Sequence, residues 1–199
     1  MVSLLPAVLS PQQEMILPPI VMYDSHIKIG LISSRTVKKV RFSVLKRLKE
    51  LGNPSEFILN IDSRGGDAYA ILALVDMIEQ LKASGKTVIT YCSSRAFSAA
   101  SLLLCCGSKR IASPLSTVML HSVQVCPGEG RFSDVEIEMK EAKRLEGIIF
   151  DLYEKYTGNT KSSLLRKLKK TPELYLSASE SKDLNLIDEI ATLPLEPLA

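Results

Sequence analysis

Two histidines, His26 and His121, are the only imidazoles in the 199-residue chain. Any histidine acid–base chemistry must therefore use one of them. His121 closes the apolar run Val118-Met-Leu120 just ahead of a loop holding Pro127, Gly128 and Gly130. A side chain at a strand end, facing a loop, stands where α/β proteins place ligands, with a satisfied structural histidine as the alternative. His26 opens a strand beside Asp24 and Ser25 and reads as a surface residue. Ser98, in Arg95-Ala-Phe-Ser-Ala-Ala-Ser101, lies where a buried strand meets an apolar helix. By itself it reads as a helix N-cap. The same junction would turn backbone N–H groups and a positive dipole end outward, an arrangement suited to an oxyanion. Gly65-Gly66 ends another strand ahead of a helix, and glycine there permits positive φ and close approach of a bound group. Its plain reading is a tight turn, since neither G-x-G-x-x-G nor a Walker pattern occurs.

The elements that must position these residues follow from periodicity. Ile27–Ile32 reads as a strand, followed by a helix with Val37, Val40, Val44, Leu48 and Leu51 at helical spacing and a stop at Gly52-Asn-Pro54. Glu56–Asp62 is the next strand, and Ala68, Ile71, Leu74, Val75, Ile78 and Leu81 mark the next helix. The β-branched Thr87–Cys92 is a third strand, followed by a turn and a helix from about Ser98. Short strands at 110–112 and 117–121 precede a long helix from Ser133 to about Tyr156. A basic helix at 161–170, a segment at 174–177, a short helix at 178–182 and a strand at 186–190 complete the chain. Strands alternating with helices imply a parallel α/β sheet in one domain. Residues 1–20, apolar and punctuated by proline, read as a non-helical arm, either buried against a neighbouring subunit or a frayed tail.

Composition excludes several classes. Hydrophobic residues make up 46% and charged residues 24%, too apolar for disorder. The longest apolar runs, such as 99–106, fall far short of the roughly 20 residues of a membrane span. A net charge of +3, six per cent aromatics and no tryptophan give no footprint for nucleic acid. Cys92, Cys105, Cys106 and Cys126 form no C-x-x-C pair for zinc and read as small hydrophobes in a reducing compartment; no cofactor is expected. The first residues lack a basic stretch and contain Pro6, so a cytoplasmic location is expected.

The order Asp62-Ser-Arg-Gly-Gly66, Ala96-Phe-Ser98-Ala-Ala100, Val118-Met-Leu-His121 and Leu174-Tyr-Leu-Ser177 before Leu186-Ile-Asp188 resembles the proteolytic subunits of the Clp protease, the ClpP family. The resemblance extends over almost the whole chain. It implies a ClpP/crotonase-like α/β fold of repeated β-β-α units with a protruding handle helix at about 133–157, within a peptidase domain of residues 21–199. It further implies a serine endopeptidase acting on unfolded polypeptides, with Ser98 as nucleophile and His121 as general base. The backbone amides of Gly66 and Ala99 would form the oxyanion hole. Counting back from Leu174 puts Glu173 where the family has its triad aspartate. A carboxylate is kept with one extra methylene.

Other departures from the family pattern are Arg64 for proline, Ser122-Val123 for a Gln-Pro pair, Ala99 for methionine and Asn185 for glycine. Asparagine also tolerates the left-handed region that glycine would supply at 185. The resemblance implies stacked heptameric rings built from this chain or with a paralogue, served by an AAA+ unfoldase, with no nucleic-acid or membrane partner. Two alternatives accompany it. One is a non-catalytic subunit of a mixed ring, suggested by Arg64 and Glu173; the other is a crotonase-fold acyl-CoA enzyme, which would leave the Ser98/His121 pair unexplained.

Overall fold

The computed structural model describes residues 26–124 and 131–193. The arm at 1–20, Cys126 and the glycines at 128 and 130 lie outside the described residues. The elements run β1 (His26–Ile29), α1 (Ser34–Glu50), β2 (Glu56–Ser63), α2 (Ala68–Ala83), β3 (Thr87–Phe97), α3 (Ala99–Cys105) and β4 (Lys109–Ala112). They continue with β5 (Thr117–His121), α4 (Phe132–Thr157), α5 (Lys161–Lys170), β6 (Glu173–Ser177), α6 (Ala178–Asp183) and β7 (Glu189–Ile190). The strands form one seven-stranded sheet with the path β1-β2-β3-β4-β7, while β5 branches off β3 and pairs with β6.

Helix boundaries follow the capping chemistry of the sequence. The Asp67 carboxylate accepts the Ala70 N–H at 2.7 Å to open α2. Ser177 and Glu180 form a reciprocal capping box at α6. Gly158, in the left-handed region at φ 72°, closes α4. The core lies on one side of the sheet, where alternate strand residues Phe57, Leu59 and Ile61 meet α2 and α3. Leu102, Leu103 and Leu104 of α3 are at most 1% exposed. Each such leucine contributes roughly 1.5–3 kcal/mol by leaving water, which holds the short α3 against β3 despite its length. The opposite face carries only a small cluster of Ile58, Tyr91 and Ile111, covered by Ala191 and Leu193.

The structure departs from the sequence reading in four places. The first strand ends at Ile29; Leu31 is 67% exposed, and Ile32 re-enters the sheet only as a single parallel bridge to Gly66. The turn expected after Cys92 does not form. Instead β3 runs on to Phe97, pairing with β4 over Ile89–Cys92 and with β5 over Arg95–Phe97. A register shift against β2 between Ile61 and Ser63 bends the strand so that it can change partners. The polar Ser93-Ser-Arg95 stretch that looked like a turn is therefore strand, with Arg95 paired to Asp62 at 2.9 Å. Pairing is not parallel throughout, because β6 lies antiparallel to β5, with Thr117 opposite Ser177 and His121 opposite Glu173. The final strand shortens to Glu189–Ile190, although Asp188 N–H still donates to Arg110 O at 2.8 Å.

Behind the sheet, Arg110 is 7% exposed and makes a network that ties β4 to the C-terminal segment. Its guanidinium donates to the Asp188 carboxylate and to the carbonyls of Tyr156 and Asn185. Asn185 adopts φ 53°, the left-handed conformation expected of a residue standing in for glycine. Its side chain accepts from Arg110 at 3.0 Å and donates to Thr157 O at 2.7 Å.

Candidate active site

The bent β3 ends by delivering Ser98 to the tip of the sheet, and β5 delivers His121 beside it. His121 Nε2 and Ser98 Oγ are 2.6 Å apart, a short hydrogen bond. The N-cap reading of Ser98 is corrected: its side chain makes no capping bond at α3 and is engaged by the imidazole instead. The reason lies in the backbone. Ser98 sits at φ 56°, ψ −126°, whereas a capping serine needs extended φ/ψ to turn its oxygen back on the helix. Such a conformation in a non-glycine residue costs on the order of 1–3 kcal/mol and persists only where neighbours impose it. Here the Ser98 N–H is held by Met119 O at 2.8 Å, and the Ser98 carbonyl accepts from Ser101 N–H at 2.9 Å.

That same serine crowds Gly65, and Ile32 crowds Gly66. Gly65 adopts φ 94°, and a β-carbon there would fall 2.8 Å from Ser98 Cβ and 2.6 Å from Phe97 O. Gly66 adopts φ 148°, and its β-carbon would fall 1.9 Å from Ile32 O. In the Ile32–Gly66 bridge, Ile32 bonds to Gly65 O and to Asp67 N, at 2.8 and 3.0 Å. That parallel pattern leaves the Gly66 N–H pointing away from Ile32. Ala99, as the first residue of α3, has one of the amides that a helix start cannot satisfy internally. Gly66, Ser98, Ala99 and His121 line one cleft of about 840 Å³ between α2, α3 and the stretch of α4 from Ile137 to Tyr153.

Burial pushes the His121 imidazole below its usual 6.5, while the Glu173 charge pulls it back up. The net depression keeps the ring neutral near neutral pH, the form that can take a proton. Glu173 stands directly opposite on β6, so the two side chains project from the same face of the ladder. Its carboxylate, however, accepts from the Tyr175 hydroxyl at 3.1 Å and acts on the ring through its field, with no direct hydrogen bond to His121 among the described residues. Tyr175 packs edge-on against Phe97, with ring centres 5.6 Å apart.

Several residues of the cleft carried no signal in the sequence. Tyr69 at the start of α2 donates to Glu141 on α4 at 2.7 Å and so links the two helices across the cleft. Hydrogen bonds from Arg144 and Tyr69 hold the Glu141 carboxyl down at about 2. Deeper in, Ile71, Leu102, Leu145 and Tyr153 make the lining apolar. A larger share of positive charge lines a separate groove of about 780 Å³ between β1 and α1, with Lys28, Arg35, Lys39 and Arg47, away from Ser98. No helix among the described residues is long and apolar enough to cross a membrane. Cys92, Cys105 and Cys106 are buried and free, and burial raises each thiol, Cys92 to about 11 and Cys105 to about 12. They act as small core hydrophobes, as the sequence suggested.

The sequence profile described as Clp protease matches residues 20–193. The chain is 34% identical over 142 residues to the ATP-dependent Clp protease proteolytic subunit of Deinococcus radiodurans, covering 69% of this chain and 66% of that relative. It is 34% identical over 148 residues to the ATP-dependent Clp protease proteolytic subunit 2 of Prochlorococcus marinus, covering 72% and 70%. Against the ATP-dependent Clp protease proteolytic subunit 1 of Bifidobacterium longum it is 29% identical over 137 residues, covering 68% and 57%. The matched stretch thus spans between 57% and 70% of the length of these relatives.

Proposed function

The chain belongs to the Clp protease family, and from that premise we propose that it is a serine endopeptidase cleaving unfolded polypeptides. The observation that carries the reading is the 2.6 Å contact between Ser98 Oγ and His121 Nε2 at the strained strand–helix junction. Ser98 is the nucleophile. Neutral His121 accepts the Ser98 hydroxyl proton at Nε2 as Oγ bonds to the peptide carbonyl carbon. The carbonyl oxygen becomes an oxyanion that takes hydrogen bonds from the Gly66 and Ala99 amides, each worth about 3–4 kcal/mol in such sites. The imidazolium then protonates the departing amine, and the C–N bond breaks to leave an acyl-serine. Water, deprotonated by His121, hydrolyses that ester and restores Ser98. Glu173 supports the imidazolium through its charge, which is strongest when the ring is protonated.

In the same reading the substrate chain lies along the cleft, with its side chains meeting Ile71, Leu102 and Leu145. Within the same reading α4 is the handle by which two rings meet. Copies of this chain, alone or with a paralogue, build a stacked heptameric chamber, and a Clp ATPase of the AAA+ class feeds it. The free buried cysteines accord with a reducing compartment such as the cytoplasm. The Ser98–His121 pair argues against a non-catalytic ring subunit, and neither it nor the family favours an acyl-CoA enzyme.

The test is covalent labelling of the full-length assembled protein with a fluorophosphonate. The expected result is a single adduct on Ser98, lost in Ser98→Ala. An assembled particle that takes up no label and cleaves no unfolded protein substrate would overturn the assignment.

A further inference from the structure

The assigned machinery leaves one buried polar pair unexplained. Ser101, on α3, is 0% exposed, and Tyr153, on the handle helix α4, is 4% exposed. Their hydroxyls meet at 2.6 Å although the two residues are 52 positions apart. Ser101 Oγ also lies 2.6 Å from Ser98 O. A carbonyl oxygen can only accept, so the single Ser101 hydroxyl proton is committed to Ser98 O. Tyr153 must then be the donor to Ser101 Oγ. Burial raises the Tyr153 phenol far above its usual range, so that proton is always present. The direction of the chain is therefore fixed: Tyr153 O–H to Ser101 Oγ, and Ser101 O–H to the carbonyl of Ser98.

We propose that Ser101 and Tyr153 are positioning residues that clamp the strained backbone of the nucleophile and tie its geometry to the handle helix. The proposal rests on the reading of Ser98 as nucleophile. The Ser98 carbonyl takes two hydrogen bonds from one residue, Ser101 N–H and Oγ–H, while the Ser98 N–H is held by Met119 O. Together these fix the peptide units on both sides of the φ 56° residue, which sets where Oγ points. Polarisation along the hydrogen-bonded chain strengthens the Ser101–Ser98 link in its dry surroundings. Tyr153 also lines the cleft. A shift of α4 would thus move the donor that supports Ser101, and the nucleophile with it.

Three full-length variants separate positioning from folding. Tyr153→Phe removes the donor and leaves Ser101 bonded to Ser98. Ser101→Ala removes the clamp and strands the Tyr153 hydroxyl in the core, which destabilises the fold. The double variant Ser101→Ala/Tyr153→Phe removes both polar groups and recovers thermal stability. The readouts are the rate of fluorophosphonate labelling at Ser98, kcat and KM on a fluorogenic peptide, and thermal melting. The expected result is labelling and kcat about tenfold slower in Ser101→Ala, a few-fold slower in Tyr153→Phe, with KM unchanged in both. Activity stays low in the double variant even though its stability returns. Labelling of the native protein with unchanged rates in all three variants overturns the clamp and leaves the peptidase assignment standing. Activity that recovers along with stability in the double variant also overturns it. Native protein that never labels overturns the peptidase assignment and the clamp together.

Discussion

Glu173 stands opposite His121 in the antiparallel β5–β6 ladder, yet its carboxylate bonds to the Tyr175 hydroxyl rather than to the imidazole. Its influence on the ring is therefore Coulombic. Burial lowers the His121 pKa and the Glu173 charge opposes that lowering. Removing the charge in Glu173→Gln should depress the imidazole further. A base that deprotonates at lower pH is active at lower pH, so the acid limb of the kcat/KM profile should move to lower pH. The plateau should also fall, by about tenfold, because the imidazolium of the transition state loses its counter-charge; about 1.4 kcal/mol corresponds to that factor. Loss far beyond this would mean that Glu173 bonds directly to the ring during turnover, as orienting carboxylates do where their removal costs about 10⁴-fold. A profile over pH for both proteins decides it.

Tyr175 tempers that field. Its hydroxyl donates to Glu173 and draws carboxylate charge away from the ring. Tyr175→Phe keeps the edge-on packing against Phe97 and removes only the donor. The freed carboxylate should act more strongly on His121 and raise its pKa, so the acid limb should move to higher pH, opposite to Glu173→Gln. Both residues are largely exposed in the described chain, so thermal melting should be nearly unchanged. A Tyr175→Phe limb that moves to lower pH, or not at all, would show that the tyrosine does not compete with the ring.

The strain at Ser98 can be measured without reference to activity. Ser98→Ala and Ser98→Gly both delete the hydroxyl, and both should abolish labelling. They differ in what φ 56°, ψ −126° costs them, since glycine enters that region freely and alanine does not. Ser98→Gly should therefore melt above Ser98→Ala, by about 1 kcal/mol, or about 2–4 °C for a chain of this size. Calorimetry of the two variants reads the difference. Equal melting temperatures would mean that the site imposes no strain on Ser98.

How much of this was legible in the sequence differs from residue to residue. His121 stood out because histidine is so scarce and Ser98 because it lies at an element end, but the residues alone read Ser98 as a helix cap, and only the resemblance to the ClpP family paired the two. Gly66 was legible as a glycine but not in its reason, which is the backbone of Ile32, 34 positions away in sequence, sitting where a side chain would be. The left-handed conformation of Asn185 was readable from its type, whereas its two side-chain bonds to Arg110 and Thr157 were not. The extension of β3 past Cys92 escaped because Ser93 and Ser94 have turn-like chemistry, and the strand continues through them to reach its pairing with β5 at Arg95–Phe97. Ser101 offered a signal in retrospect: a serine among Ala99, Ala100 and three leucines must find a partner when its helix is buried. The partner, Tyr153, could not be named, because nothing local relates α3 to the C-terminal part of α4.

Arg110 gives a prediction that runs through stability alone. Its guanidinium is buried against Asp188, Asn185 O and Tyr156 O. Burial pushes the Asp188 carboxyl up, but hydrogen bonds and charge from Arg110 more than reverse that and leave it below its usual 3.8. The folded chain therefore binds fewer protons than the unfolded chain as the pH passes through the carboxylate range. Stability from this pair is complete above the ordinary carboxylate value and drains as the pH falls through the depressed one. With the Asp188 side chain 40% exposed, the acid-sensitive part is small, about 1 kcal/mol. Arg110→Met should cost more than that at neutral pH, about 2 kcal/mol, because the part-buried carbonyls of Tyr156 and Asn185 and the Asp188 carboxylate lose their donor together. The gap between the native protein and Arg110→Met should narrow in acid, since only the native protein still has the Asp188 contribution to lose. Urea unfolding of both proteins at about pH 7 and about pH 3 measures the two gaps. A gap of constant size would mean that the carboxylate contributes nothing through Arg110, and that the arginine serves the carbonyls alone.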